Sequence, residues 1–132
     1  MKTRTVLQAK RLGIVSCQGD DSLDVIVRRM ADDDISALVV TNKKGYLDGI
    51  ITRSDILRAY AQSEDWRTDT VERYMTRNVI TVTPDTKLID AADLLVNKHI
   101  HRVVVVRQEE GGSRPIAVIS DSDLVCDLAD MA

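Results

Sequence analysis

Gly49-Ile50-Ile51-Thr52-Arg53-Ser54-Asp55 runs from an apolar stretch into a hydroxyl and then, three positions on, a carboxylate. Ala117-Val118-Ile119-Ser120-Asp121-Ser122-Asp123 has the same order later in the chain. Both segments read as a strand end followed by the start of an amphipathic helix. Upstream of them, a shift of 65 positions lays Val15-Ser16 on Ile80-Thr81, Leu23 on Leu88, Ile35 on Ile100 and Val39-Val40 on Val104-Val105. No gap is needed between Val6/Val71 and Val40/Val105, and three extra residues near Glu109–Gly112 then raise the shift to 68. The chain is therefore a tandem duplication of a unit too short to close a good core alone. The copies are placed at 6–62 and 71–130, with 63–70 as a polar connector.

Each copy reads as β-α-β-β-α. Leu23, Ile26, Val27 and Met30, and in the second copy Leu88, Ala91, Ala92 and Leu95, form an apolar stripe at helical spacing. Asp21 or Ser22, and Thr86, are the expected N-caps, and Pro84 stops the preceding strand. Ser36–Val40 and His101–Val106 read as strands, and the continuous valines call for burial on both faces. Asn42-Lys43-Lys44-Gly45 makes the first hairpin turn, and Gln108–Arg114 a longer one. The partner strands are Tyr46–Thr52 and Pro115–Ser120, and Val71–Met75 is a short helical turn. The last helices carry Ile56, Leu57 and Tyr60, and Leu124, Val125 and Leu128. That is more apolar surface than a two-layer unit covers, which points to a homodimer. The fold class is α/β (α+β): two pseudo-symmetric repeats packed sheet to sheet about a two-fold axis.

Among the 132 residues, 44% are hydrophobic but only 3% aromatic, with no Phe, so Val, Ile, Leu and Ala must build the core. A formal net charge of −3 gives no general drive toward nucleic acid or anionic membrane. Lys2, Arg4, Lys10 and Arg11 form a local basic cluster, expected to be a solvated helix start. Cys17 and Cys126 occupy non-equivalent positions without a CxxC, so zinc and a disulfide framework are not expected, and both read as small buried residues. No run has the length of a membrane span and no signal-peptide pattern is present, which places the protein in the cytoplasm.

The chemistry lies in the repeated hydroxyl-x-x-carboxylate. A helix N-terminus offers free backbone N–H groups and the positive end of a dipole, both favourable to phosphate. The Thr or Ser hydroxyl adds a donor, and a carboxylate one turn on can accept hydrogen bonds from two ribose hydroxyls. The competing reading is a capping box, in which the same residues satisfy the first turn of the helix. Recurrence at both junctions favours binding. No Ser/His/Asp or Cys/His constellation is recognisable, so the chain is not read as an enzyme; a redox activity through Cys17 is the remote alternative. His99 and His101 suggest a metal pair without a third ligand. Asp32-Asp33-Asp34 reads as a solvated loop and Trp66 as a cover over the connector.

The duplicated unit resembles a tandem pair of cystathionine β-synthase (CBS) domains, the Bateman module. The resemblance rests on Gly49–Asp55, Ser120–Asp123, Val71–Val82 and His101–Val106, and it spans about Val6 to Ala129. It implies a regulatory module with an adenosyl ligand in clefts that draw on both copies. One cleft would combine Ser120 and Asp123 with Lys10, Ile14, Val15, Ser16, Ile35, Ser36 and Ala37. The other would combine Thr52 and Asp55 with Met75, Val79, Ile80, Thr81, Ile100, His101 and Arg102. Aliphatic residues would sandwich adenine, the Asp would hold ribose, and His101 and Arg102 would face phosphate. AMP, ADP or ATP is the expected regulatory ligand, with S-adenosylmethionine or NADH as alternatives. No cofactor is required, and the listener would be an enzyme or a transporter. Lys10 in place of Met75, Ala117 in place of the motif glycine and Ser36-Ala37 in place of His101-Arg102 set the first cleft apart, so the Thr52/Asp55 cleft is the better match. The reading from another class is an interaction scaffold that dimerises with empty clefts.

Overall fold

A computed structural model describes residues 4–6 and 13–130. Two compact units emerge, each with a three-stranded sheet and helices, and each realises the β-α-β-β-α order. The first unit, residues 15–79, contains β1 (Ser16–Gln18), α1 (Leu23–Asp33), β2 (Ala37–Thr41), β3 (Leu47–Thr52) and α2 (Arg53–Gln62). A 3-10 turn (Trp66–Thr68) and α3 (Val71–Tyr74) follow. The second unit holds β4 (Thr81–Val82), α4 (Leu88–Asn97), β5 (Arg102–Glu109), β6 (Gly112–Ser120) and α5 (Asp121–Ala129), with the described residues before Val15.

In each sheet the middle strand pairs parallel to the short first strand and antiparallel to the last. Both hairpins shift register at the same place, after Val40 and after its counterpart Val105. Leu38, Val40 and Ile51 join Leu23, Ile26 and Met30 of α1 and Ala59 of α2 in one core. Val103, Val105, Ala117 and Ile119 join Ala91, Leu95 and Leu124 in the other. Val39 and Val104 point to the opposite sheet faces and are also fully buried, as an unbroken valine run requires.

Each core is closed by a strap that precedes the other repeat in sequence. In the first unit Val71 N–H donates to the Asp21 carbonyl, and Leu23 N–H donates to the Asp69 carbonyl. In the second unit Val6 N–H donates to the Thr86 carbonyl and Leu88 N–H to the Arg4 carbonyl. Val71 and Val6 are both buried to within 1%.

Several expectations change. Thr86 is not the cap of α4: Lys87 takes that place, and the Thr86 hydroxyl instead accepts from Thr83 N–H and closes the turn. Ser22 does cap α1, by backbone geometry and without a side-chain bond. The loop expected over Gln108–Arg114 is a tight hairpin, because strand pairing continues to Glu109 and Gly112. His99 lies outside the strand, with φ 54°, at the helix end where Asp34 (φ 51°) stands in the first repeat. It therefore does not share a strand face with His101, and no metal-holding cluster exists among the described residues. Cys126 is exposed rather than buried, while Cys17 is in the core. Arg4 is not merely solvated: its guanidinium donates to both carboxylate oxygens of the buried Asp127, at 2.7 and 2.9 Å. Lys2, Lys10 and Arg11 lie outside the described residues. No described helix is long and apolar enough to cross a membrane.

Candidate functional site

Each unit ends its last strand at a hydroxyl and turns at once into a helix. In the first, Thr52 is the N-cap of α2, and its Oγ1 accepts from Asp55 N–H at 3.5 Å. Thr52 N–H donates back to Asp55 Oδ2 at 2.9 Å. In the second, Ser120 Oγ accepts from Asp123 N–H at 3.1 Å and Ser120 N–H donates to Asp123 Oδ2 at 2.9 Å. Both junctions are thus complete capping boxes, the competing structural reading of the motif.

The carboxylates differ in burial and in the residue three positions on. Asp55 is only 3% exposed, and Arg58 lies 3.2 Å from its Oδ1. Arg58 also donates to the Tyr74 carbonyl and lies over the Tyr74 ring, so it ties α2 to α3. Asp123 is half-buried, and the position equivalent to Arg58 is Cys126. The Asp123 carboxylate is the more accessible of the two.

Gly49 is required by a close approach. A Cβ there would lie 2.6 Å from the Thr76 carbonyl oxygen, because Ile50 and Thr76 exchange backbone bonds across that strand edge. Met75 is held alongside, its sulfur 3.0 Å from the same position. In the second unit Ala117 instead bridges Gly13, whose φ of 138° needs glycine.

The strand starts are anchored in the same way in both units. Arg53 N–H donates to the Ser36 carbonyl and Asp121 N–H to the His101 carbonyl. Ala37 lies opposite Thr52, and Arg102 opposite Ser120. Val39 N–H donates to the Val15 carbonyl, and Val104 N–H to the Ile80 carbonyl. So the first unit gathers Val15, Ser16, Ile35, Ser36, Ala37, Thr52 and Asp55, with Met75 and Val79 on its last segment. The second gathers Ile80, Thr81, Ile100, His101, Arg102, Ser120 and Asp123, with Ile14. Ile35, Val15 and Met75 pack on one core and Ile80 and Ile100 on the other, so each is partly buried. Lys10 is outside the described residues.

His101 has a partner that the motif reading overlooked. Its Nδ1 is 3.1 Å from Asp121 Oδ2, and this hydrogen bond holds the Asp121 carboxyl below the ordinary carboxylate range. The signal was available: Asp121 aligns with Arg53, so the two copies carry opposite charges at the first helical position.

A duplicated α/β unit with a hydroxyl-x-x-Asp junction in each copy defines a paired-domain architecture. The family model of the CBS domain matches residues 9–62 and 71–130, and the chain belongs to that family. The CBS domain pair of protein MJ0100, solved with 5′-methylthioadenosine and S-adenosyl-L-methionine, superposes with a TM-score of 0.86 at 25% identity, covering 98% of this chain and 99% of that one. The CBS domain NE2398 gives 0.83 at 29% identity, over 96% and 98%. The CBS domain-containing protein CBSX3 of Arabidopsis thaliana is 32% identical over 114 residues, 83% of this chain and 53% of that protein. A homoserine O-acetyltransferase of Methanosalsum zhilinae is 29% identical over 120 residues, 91% of this chain but 23% of the enzyme. The chain spans 60% or less of the first curated relatives it matches.

Proposed function

We propose that this CBS domain pair is a ligand-sensing module that binds an adenosyl nucleotide at its strand-to-helix junctions and passes its occupancy to a partner. The observation that carries the reading is the recurrence of hydroxyl, two residues and carboxylate at both junctions, with aliphatic residues held beside each. The similar MJ0100 pair, solved with two adenosyl compounds, supports this ligand class. AMP, ADP or ATP is the proposed ligand, with S-adenosylmethionine and NADH as the alternatives. The module acts as a homodimer, and the partner is an enzyme or a transporter. The match to part of a homoserine O-acetyltransferase supports an enzyme as listener. The assignment of each cleft to residues of both copies is carried forward as part of this proposal. Signalling requires only that the ligand bind one arrangement of the module better than another.

A second reading has its own support. Both carboxylates already serve capping boxes, and Asp55 is buried against Arg58. This favours a scaffold that dimerises without ligand. A thermal-shift panel of adenosine, AMP, ADP, ATP, S-adenosylmethionine and NADH separates the two. Ligand at 100 times its dissociation constant should add about 2.7 kcal/mol to folding stability. A flat response across the panel hands the junctions to the scaffold reading.

A further inference from the structure

The two junctions differ most at the first helical position. Arg53 stands there in the first unit and Asp121 in the second. The first turn of α2 carries one acid, Asp55, whereas that of α5 carries two, Asp121 and Asp123. The guanidinium of Arg53 turns to Asp34 at the end of α1, and the carboxylate of Asp121 turns to His101 just before β5. Ser36 is the counterpart of His101, so the first unit holds no imidazole–carboxylate pair.

Three bonds fix Asp121. Its N–H donates to the His101 carbonyl at 2.9 Å, its Oδ1 accepts from Ser122 N–H at 2.7 Å, and its Oδ2 lies 3.1 Å from His101 Nδ1. The His101 bond first, then the Ser122 N–H and the charge of Arg102, hold the carboxyl below its usual range, so it is ionised at neutral pH. An ionised carboxylate only accepts. His101 therefore donates from Nδ1, and in the neutral ring Nε2 is left with its lone pair and no proton. The side chain is 79% exposed, so that lone pair is open to a ligand. Phosphate oxygens are acceptors too; they find no donor on the neutral ring and meet the Asp121 charge besides. An ammonium group finds an acceptor there and a charge of opposite sign.

We propose that Asp121 is the specificity-determining residue for the ligand that faces His101: it presents the imidazole as an acceptor, and so selects an adenosyl compound whose 5′ substituent is a cationic donor over one that carries phosphate. The inference rests on the adenosyl-binding reading above and narrows the ligand at His101. A unit charge about 6 Å away across water changes affinity about threefold, so the discrimination should grow with the number of phosphate charges.

Calorimetry with adenosine, 5′-amino-5′-deoxyadenosine, AMP and ATP tests this on the unaltered chain, Asp121→Asn and Asp121→Arg. Asp121→Asn should bind AMP about threefold more tightly and ATP more tightly still, while the amino compound loses about the same factor and adenosine moves by less than about twofold. Asp121→Arg, which installs the residue the first copy carries, should enlarge each change. An equal shift for all four probes would mean that Asp121 acts through the fold, and no shift would mean that its charge does not reach the ligand; either overturns the inference while leaving adenosyl binding in place. Failure of every probe to bind the unaltered chain overturns the adenosyl reading and this inference with it. Nitrogen NMR of the His101 ring gives a readout that needs neither a variant nor a ligand. The Nδ1–H form is expected in the unaltered chain at neutral pH, and the Nε2–H form would overturn the proposal.

Discussion

Asp55 and Asp123 perform the same capping in different surroundings, and that difference can be measured. Asp55→Ala removes a cap and leaves Arg58 without its buried partner, so it should destabilise by more than the about 1 kcal/mol of a cap alone. If the carboxylates also take ribose hydroxyls, Asp55→Ala and Asp123→Ala each remove charge-assisted bonds worth about 1.5–3 kcal/mol of binding. Calorimetry on both variants checks this: lowered melting with unchanged nucleotide affinity returns the motif to capping alone. The His101–Asp121 pair gives a second test. The folded state depresses the Asp121 carboxyl, chiefly through the His101 hydrogen bond. Its contribution to stability is therefore present above the ordinary carboxylate range and is lost as pH falls through the depressed value. His101→Ala should raise the Asp121 titration midpoint, read by carboxyl-carbon NMR. An unmoved midpoint would show that the pair is not formed in solution. The same pair bears on phosphate recognition, since any phosphate approaching His101 must displace or tolerate a carboxylate 3.1 Å away.

At the scale of elements, the two copies solve the same packing problem with different residues. Gly49→Ala should destabilise by about 1–3 kcal/mol, because the new methyl would press on the Thr76 carbonyl rather than on a side chain that can swing aside. Chemical denaturation checks it; an unchanged midpoint would mean the Ile50–Thr76 bridge yields freely. In α5, Asp127 stands where α2 has the buried Ala59, and it is satisfied by Arg4. Arg4→Ala should lower the melting temperature by stranding that carboxylate, and Arg4→Ala/Asp127→Ala should regain part of the loss. No recovery would mean that Arg4 acts through its aliphatic stem. The helix stripes, the valine strands and the junctions were legible because they depend on local periodicity and on repetition. The 108–114 hairpin was not, since Gly111-Gly112 signals a turn without fixing its length. Thr86 as a cap failed because Ser, Thr and Asp serve turns as well as helix starts. Arg58 and Asp121 were missed as partners because a single copy does not show which of its charges meet. The comparison between copies does: Arg53 against Asp121, Arg58 against Cys126.

For the whole molecule, the strap exchange sets what can fold alone. The segment 6–62 contains one sequence repeat but lacks Val71, which fills its core; residues 15–79 include it. The fragment 15–79 should melt cooperatively and 6–62 should not, as followed by circular dichroism. Equal behaviour of the two would make the strap dispensable. The unit copied in the duplication and the unit that folds are therefore out of phase by about one strap. This has a consequence for synthesis on the ribosome. The first unit is complete once residue 79 has emerged, before the sheet of the second unit has been made. Arg4 emerges 123 residues ahead of its partner Asp127. The strap around Val6 is thus made before the unit it closes, and in the interval Val6 has no core to fill.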